Sequence, residues 1–112
     1  MASLLVGVRS RSSGSKGQVM AVGNQALVNM ARRRATRIIT TRYDEDTMKN
    51  VDRLIELLGS DEDDVRFAAV TCLGIAGAGA KPATRALTEL QEKESKNDTR
   101  VMIKWALKRL SV

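Results

Sequence analysis

Asp61-Glu62-Asp63-Asp64-Val65-Arg66-Phe67-Ala68-Ala69-Val70-Thr71-Cys72-Leu73-Gly74 is the stretch on which the fold turns. Its leading acids offer N-capping groups and a negative cluster suited to the positive end of a helix. Val65, Ala69, Cys72, Leu73 and then Ala76 fall on one stripe at helical spacing. A helix is therefore expected over about 63–75, ended by Gly77-Ala78-Gly79. The same reading extends outward. Toward the N-terminus, Val51, Leu54, Ile55 and Leu58 mark a helix from about Thr47 to Leu58, with Asp46 or Thr47 as cap and Gly59 as its stop. Before it, Leu27, Ala31, Ala35, Ile38 and Ile39 form a further stripe. Toward the C-terminus, Pro82 suits the first turn of a helix reaching about Glu94, with Ala83, Ala86, Leu87 and Leu90 inward. Asn97 or Asp98 caps a last helix to about Leu110, carrying Ile103, Ala106, Leu107 and Leu110. Short turns between such helices imply antiparallel neighbours packed in pairs.

Composition fits an all-α chain and removes most chemistry. The 112 residues are 43% hydrophobic but only 3% aromatic, with a single proline. Leu, Ile, Val, Ala and Met must build the core. Histidine is absent, which removes the commonest general base and metal ligand together with the Ser-His and Cys-His nucleophile pairs. Cys72 is the lone cysteine, so neither an internal disulfide nor a thiolate zinc cluster can form. Its place in an apolar stripe reads as core. No catalytic residue, metal site or cofactor is expected, and the chain is expected not to be an enzyme.

Self-comparison is more informative still. An offset of 34 residues superimposes Arg32, Arg66 and Arg100. It also aligns Ala35 with Ala69 and Ile103, Ile38 with Cys72 and Ala106, and Ile39 with Leu73 and Leu107. The helices between them align at 33, Leu54 on Leu87 and Leu57 on Leu90. A fixed period of this length is the signature of stacked helical repeats.

The segment Asp61–Gly74 resembles the HEAT repeat, particularly its short lyase-like subtype: an acidic turn, Val65-Arg66, Ala68-Ala69, then Leu73-Gly74. Leu54-Ile-Glu-Leu-Leu58 is similar to the end of that family's second helix. The likeness weakens outward, because Asn97-Asp98-Thr99-Arg100 lacks the valine and the first copy lacks the acidic turn. The resemblance implies a short α-solenoid of about two and a half helix-pair repeats over residues 25–112, preceded by a basic flexible arm at 1–24. It further implies a ladder in which Arg66 and Arg100 pair with Asp63 or Asp64 and with Asp98, Arg32 holding the equivalent place. By the same resemblance the function is a non-enzymatic scaffold, or a small subunit of a larger assembly. The non-core residues of the second helices would line its concave protein-binding surface: Lys49, Asp52, Arg53, Glu56, Arg85, Glu89 and Glu92. Their mixed charge suits a protein partner.

Two further surfaces stand out. The net charge of +6 is unevenly spread: residues 1–43 hold eight basic side chains and no acid, whereas the rest is slightly acidic. Arg9, Arg11, Lys16, Arg33, Arg34, Arg37 and Arg42 are thus candidates for an anionic partner, which makes sequence-independent nucleic-acid or ribonucleoprotein binding the alternative function. No aromatic residue precedes Tyr43 to stack on bases. On the last helix Val101, Met102 and Trp105 form an apolar strip off the inward stripe, expected either to dock on a partner or a second copy, or to fold back over the fourth helix. No run approaches a membrane span, and an intracellular, cytoplasmic chain is expected. The Ser- and Arg-rich, acid-free residues 1–17 resemble a transit peptide, which leaves organellar import open.

Overall fold

The computed structural model describes residues 16–111, with side chains from residue 25 onward. The described chain is helical. Its elements are α1 (Lys16–Arg42), a 3-10 turn at Glu45–Lys49, α2 (Val51–Leu57), α3 (Asp63–Ala76), a second 3-10 segment at Gly77–Ala83, α4 (Thr84–Lys93) and α5 (Asn97–Leu110). No strand occurs among the described residues. The chain divides between Met30 and Ala31. Residues 16–24, expected as part of a flexible arm, belong to α1, while residues 1–15 of that arm lie outside the described residues.

The unit from Ala31 onward is built of stacked helix pairs. α2 packs on α3, α4 packs on α5, and the two pairs meet through α3 and α5. The last turns of α1 supply the half repeat, burying Ala31, Ala35 and Ile39 in the same core. Leu27, read as part of this stripe, is exposed, and Ile38 is half-buried.

Burial follows the 34-residue period. Ala31, Val65 and Thr99 are all buried, as are Ala35, Ala69 and Ile103. The middle copy differs in one respect: α3 is buried on every side from Phe67 to Gly74. A helix with no polar face is one covered all round. The equivalent outer positions, Arg33 and Val101, Thr40 and Lys108, are exposed. Leu54, Leu58, Ala69, Cys72, Leu73 and Leu87 are buried together, and Leu90 and Leu107 pack at the edge of that cluster.

Local chemistry differs from the sequence reading at the starts of two helices. Asn50, not Asp46 or Thr47, caps α2, its side chain accepting from the Arg53 N–H. Residues 45–49 form a separate 3-10 turn, so α2 is shorter than expected. Pro82 lies in the second 3-10 segment, ahead of α4 rather than inside it. Gly77 ends α3 at φ +63°, ψ −130°, a conformation open to glycine alone.

Candidate functional site

The charged side chains fall into two groups, those that tie the repeats together and those that face solvent. Arg66 leads the first group. Its Nε and Nη2 donate to the two carboxylate oxygens of Glu94 at 2.8 and 3.0 Å, and its Nη1 donates to the Ser60 carbonyl at 2.9 Å. The Glu94 side chain is fully buried and also accepts from the Lys96 N–H at 3.2 Å. The α2–α3 and α4–α5 turns are thereby fastened to one guanidinium. Arg66's hydrogen bonds hold the Glu94 carboxyl below the usual carboxylate range. A hollow of about 310 Å³ opens beside the pair, lined by Leu58, Ser60, Leu90 and Ser95 among others.

A second tie runs through Arg34. Its guanidinium donates to Asp64 and Asp98, each at 2.9 Å, and lies 4.0 Å from the centre of the Phe67 ring. One arginine of α1 thus bridges the first turns of α3 and α5. Partial burial opposes ionisation of Asp98, but hydrogen bonds from Arg34 and the Thr99 N–H outweigh it and lower its pKa.

These contacts revise the expected ladder. Arg66 does take a structural ion pair, but with Glu94 rather than with Asp63 or Asp64. Asp98 pairs with Arg34, Arg32 is exposed, and no ion pair forms at Arg32 or Arg100 among the described residues. The physical reason is register. Position 34 aligns with Ala68 and Met102, both buried, so a side chain there points inward. An arginine at that site extends over Phe67 to the nearest carboxylates. The offset itself carried this signal, because Asp64 and Asp98 also stand 34 apart. Glu94 carried none: its burial arises from the turn between α4 and α5.

The seven basic candidates therefore separate. Arg34 is spent on the interhelical bridge, and Arg42 pairs with Glu62. Arg33 and Arg37 are exposed with no ion pair among the described residues. The backbone at Lys16 opens α1, while Arg9 and Arg11 lie outside the described residues.

On α5, Met102 is only 1% exposed and belongs to the core, so it cannot dock on anything without unfolding. Trp105 is half-buried. It is seated against α3: a Cβ at Gly74 would overlap its six-membered ring. Arg109 closes the other side, its Nε donating to the Gly74 carbonyl at 3.2 Å with its guanidinium 5.8 Å from the ring centre. Val101 alone of the expected apolar strip is exposed, at 46%.

The candidates on the second helices are all exposed. Lys49 lies in the 3-10 turn, Asp52, Arg53 and Glu56 on α2, and Arg85, Glu89 and Glu92 on α4. Arg53 pairs with Glu56 and Arg85 with Glu89 along their own helices. Cys72 borders a hollow of about 360 Å³ with Met48 and Ile75, but burial pushes its thiol up to about 11. It is protonated at neutral pH and a poor nucleophile.

Stacked helix pairs with a 34-residue period and a repeating burial pattern define an all-α helical-repeat protein. The family model of HEAT repeats matches residues 29–108, and the chain belongs to the HEAT-repeat family. Neither the curated proteins nor the solved structures give a significant match. HEAT repeats generally mediate protein–protein interaction and are generally non-catalytic. Among the described residues no helix is long and apolar enough to cross a membrane.

Proposed function

We propose that this chain is a non-enzymatic scaffold module, or a small subunit of a larger assembly, that binds a protein through the exposed faces of α2 and α4. The observation that supports it most is the composition of those faces. Asp52, Arg53 and Glu56 on α2, Arg85, Glu89 and Glu92 on α4, and Lys49 in the turn ahead of α2 are all exposed and of both signs. Mixed charge over a rigid helical layer gives register and selectivity with a protein surface, which itself carries both signs.

Affinity capture with the full chain tests this reading, comparing the wild type with Arg53→Glu/Arg85→Glu. Both arginines are exposed, so folding should be unaffected, and circular dichroism checks that. The expected result is a nuclease-resistant protein complex that the double variant loses. A capture that the double variant retains in full contradicts the assignment of this face.

A second reading has its own observation. Arg32, Arg33 and Arg37 project from α1 into solvent without an ion pair among the described residues. They are candidate contacts for nucleic acid or ribonucleoprotein, as are Arg9, Arg11 and Lys16 by their sequence. About six phosphate contacts give a log–log salt slope of about −5 on duplex DNA. A flat salt dependence contradicts it.

A further inference from the structure

The chain entering α2 reads Asp44-Glu45-Asp46-Thr47-Met48-Lys49, three acids in succession and then a methionine and a lysine. The three acids and Lys49 are exposed, whereas Met48 is half-buried against the core. None of these four charges makes an ion pair among the described residues. The hollow of about 360 Å³ lies between this turn and the second half of α3. Its lining divides by chemistry. Met48, Cys72 and Ile75 are apolar, while Glu45, Asp46 and Lys49 carry charge. All six fall between residues 45 and 75, so the walls come from the middle of the chain.

Floor and rim select different parts of an occupant. Cys72 is buried in the core and Met48 and Ile75 are half-buried, so an apolar side chain set on them leaves water on contact. The volume stands at the low end for a ligand pocket and suits a single large side chain. The rim is net negative, two carboxylates against one ammonium with Asp44 adjoining in sequence, so it attracts cations and repels phosphodiesters. Lys49 also belongs to the mixed-charge surface that continues along α2. The hollow thus places an apolar anchor beside a face otherwise made of charges, the arrangement in which a few buried side chains carry most of the binding energy.

We propose that this hollow anchors a basic peptide segment of a partner protein, which inserts one apolar side chain onto Met48, Cys72 and Ile75 and sets flanking Lys or Arg residues against Glu45 and Asp46. The inference rests on the protein-binding reading and names what the partner presents beside α2. Charge complementarity fixes the sign of the segment, and continuity with the α2 face favours a partner protein. The chain's own Leu4-Leu5-Val6, ahead of Arg9 and Arg11, has the same chemistry and is the competing occupant.

The test is a titration of the full, isotope-labelled chain, followed by amide chemical shifts. The probe is a short capped peptide with one Leu flanked on each side by Lys and Arg. A second peptide carries Ser in place of the Leu, and a third carries Gln in place of the basic residues. The expected shifts cluster at Glu45–Lys49, Cys72 and Ile75. Affinity should fall at least about tenfold in Glu45→Lys/Asp46→Lys and with the Gln peptide, and at least about fivefold with the Ser peptide. Both acids are exposed without an ion pair among the described residues, and an unchanged melting temperature shows that the variant remains folded. Leu4→Asp/Leu5→Asp should bind the probe as the wild type does. Affinity unchanged in the double reversal, or a Ser peptide that binds equally well, overturns the proposal. Binding that appears only in Leu4→Asp/Leu5→Asp overturns it in favour of the chain's own segment. A probe that shifts nothing at the hollow overturns the anchor alone, because the scaffold reading stands or falls on the Arg53→Glu/Arg85→Glu capture.

Discussion

A fully buried carboxylate survives in a small helical domain only when it is answered atom for atom, as Glu94 is by Arg66. Removing one partner leaves the other uncompensated, so Glu94→Ala should cost about 3–5 kcal/mol in denaturant unfolding. The pair also sets a pH dependence. The folded-state pKa of Glu94 lies below its unfolded value, near 4.3 for a free glutamate, so its contribution is fully present above that pH. It is lost as the pH falls through the lower, folded value. The melting-temperature gap between wild type and Glu94→Gln should therefore narrow on acidification below about pH 4. A gap constant across that range contradicts the pairing. Gly74 makes a different kind of demand. Any side chain there displaces the indole of Trp105, so Gly74→Ala should destabilise by about 1–3 kcal/mol and shift tryptophan emission to the red. Wild-type emission is expected to be blue and independent of concentration.

At the scale of the helix, α1 shows how a basic run divides its labour. Arg33 and Arg37 face solvent, whereas Arg34, between them in sequence, joins α1 to the first turns of α3 and α5. Replacing Arg32, Arg33 and Arg37 together with Gln should leave the melting temperature within about a degree, since unpaired surface charges contribute little. Arg34→Gln alone should lower stability by about 0.5–1.5 kcal/mol, a modest figure because both ion pairs are partly exposed. Arg34→Lys should not restore it, since a compact ammonium lacks the planar fork that spans both carboxylates and lies over the Phe67 ring. A triple variant that melts early reverses this division. The helices themselves were legible in the sequence, because apolar stripes at Leu54–Leu58, Ala69–Leu73 and Ile103–Leu110 depend on local spacing. The middle helix was legible as central only through the repeat: its own pattern marks a stripe, yet both flanks are covered. Arg34 was misplaced because an arginine in an arginine run looks interchangeable until its register against Ala68 and Met102 is considered. Met102 was misplaced for the same reason, being read as surface when its repeat equivalent Ala68 lies in the core.

For the whole domain, burial repeats while surface chemistry does not. The stacked pairs share one core in which Leu73 is central and fully buried, and Leu73→Ala should cost about 2–5 kcal/mol. Around that core the exposed faces differ: mixed on α2 and α4, basic on α1 and on α5. The Arg66–Glu94 pair could not be read from spacing, because the Glu94 turn is brought to Arg66 only by stacking. The central claim is that this HEAT-repeat domain works by holding a protein against its exposed helices. Hydrogen–deuterium exchange of the full chain, alone and in its captured complex after nuclease treatment, tests it most directly. The expected result is slowed exchange confined to the exposed helices α2 and α4 and the turn ahead of α2, with α3 equally protected in both states. A complex that nuclease dissolves, or protection that appears only over Arg32 to Arg37, contradicts it.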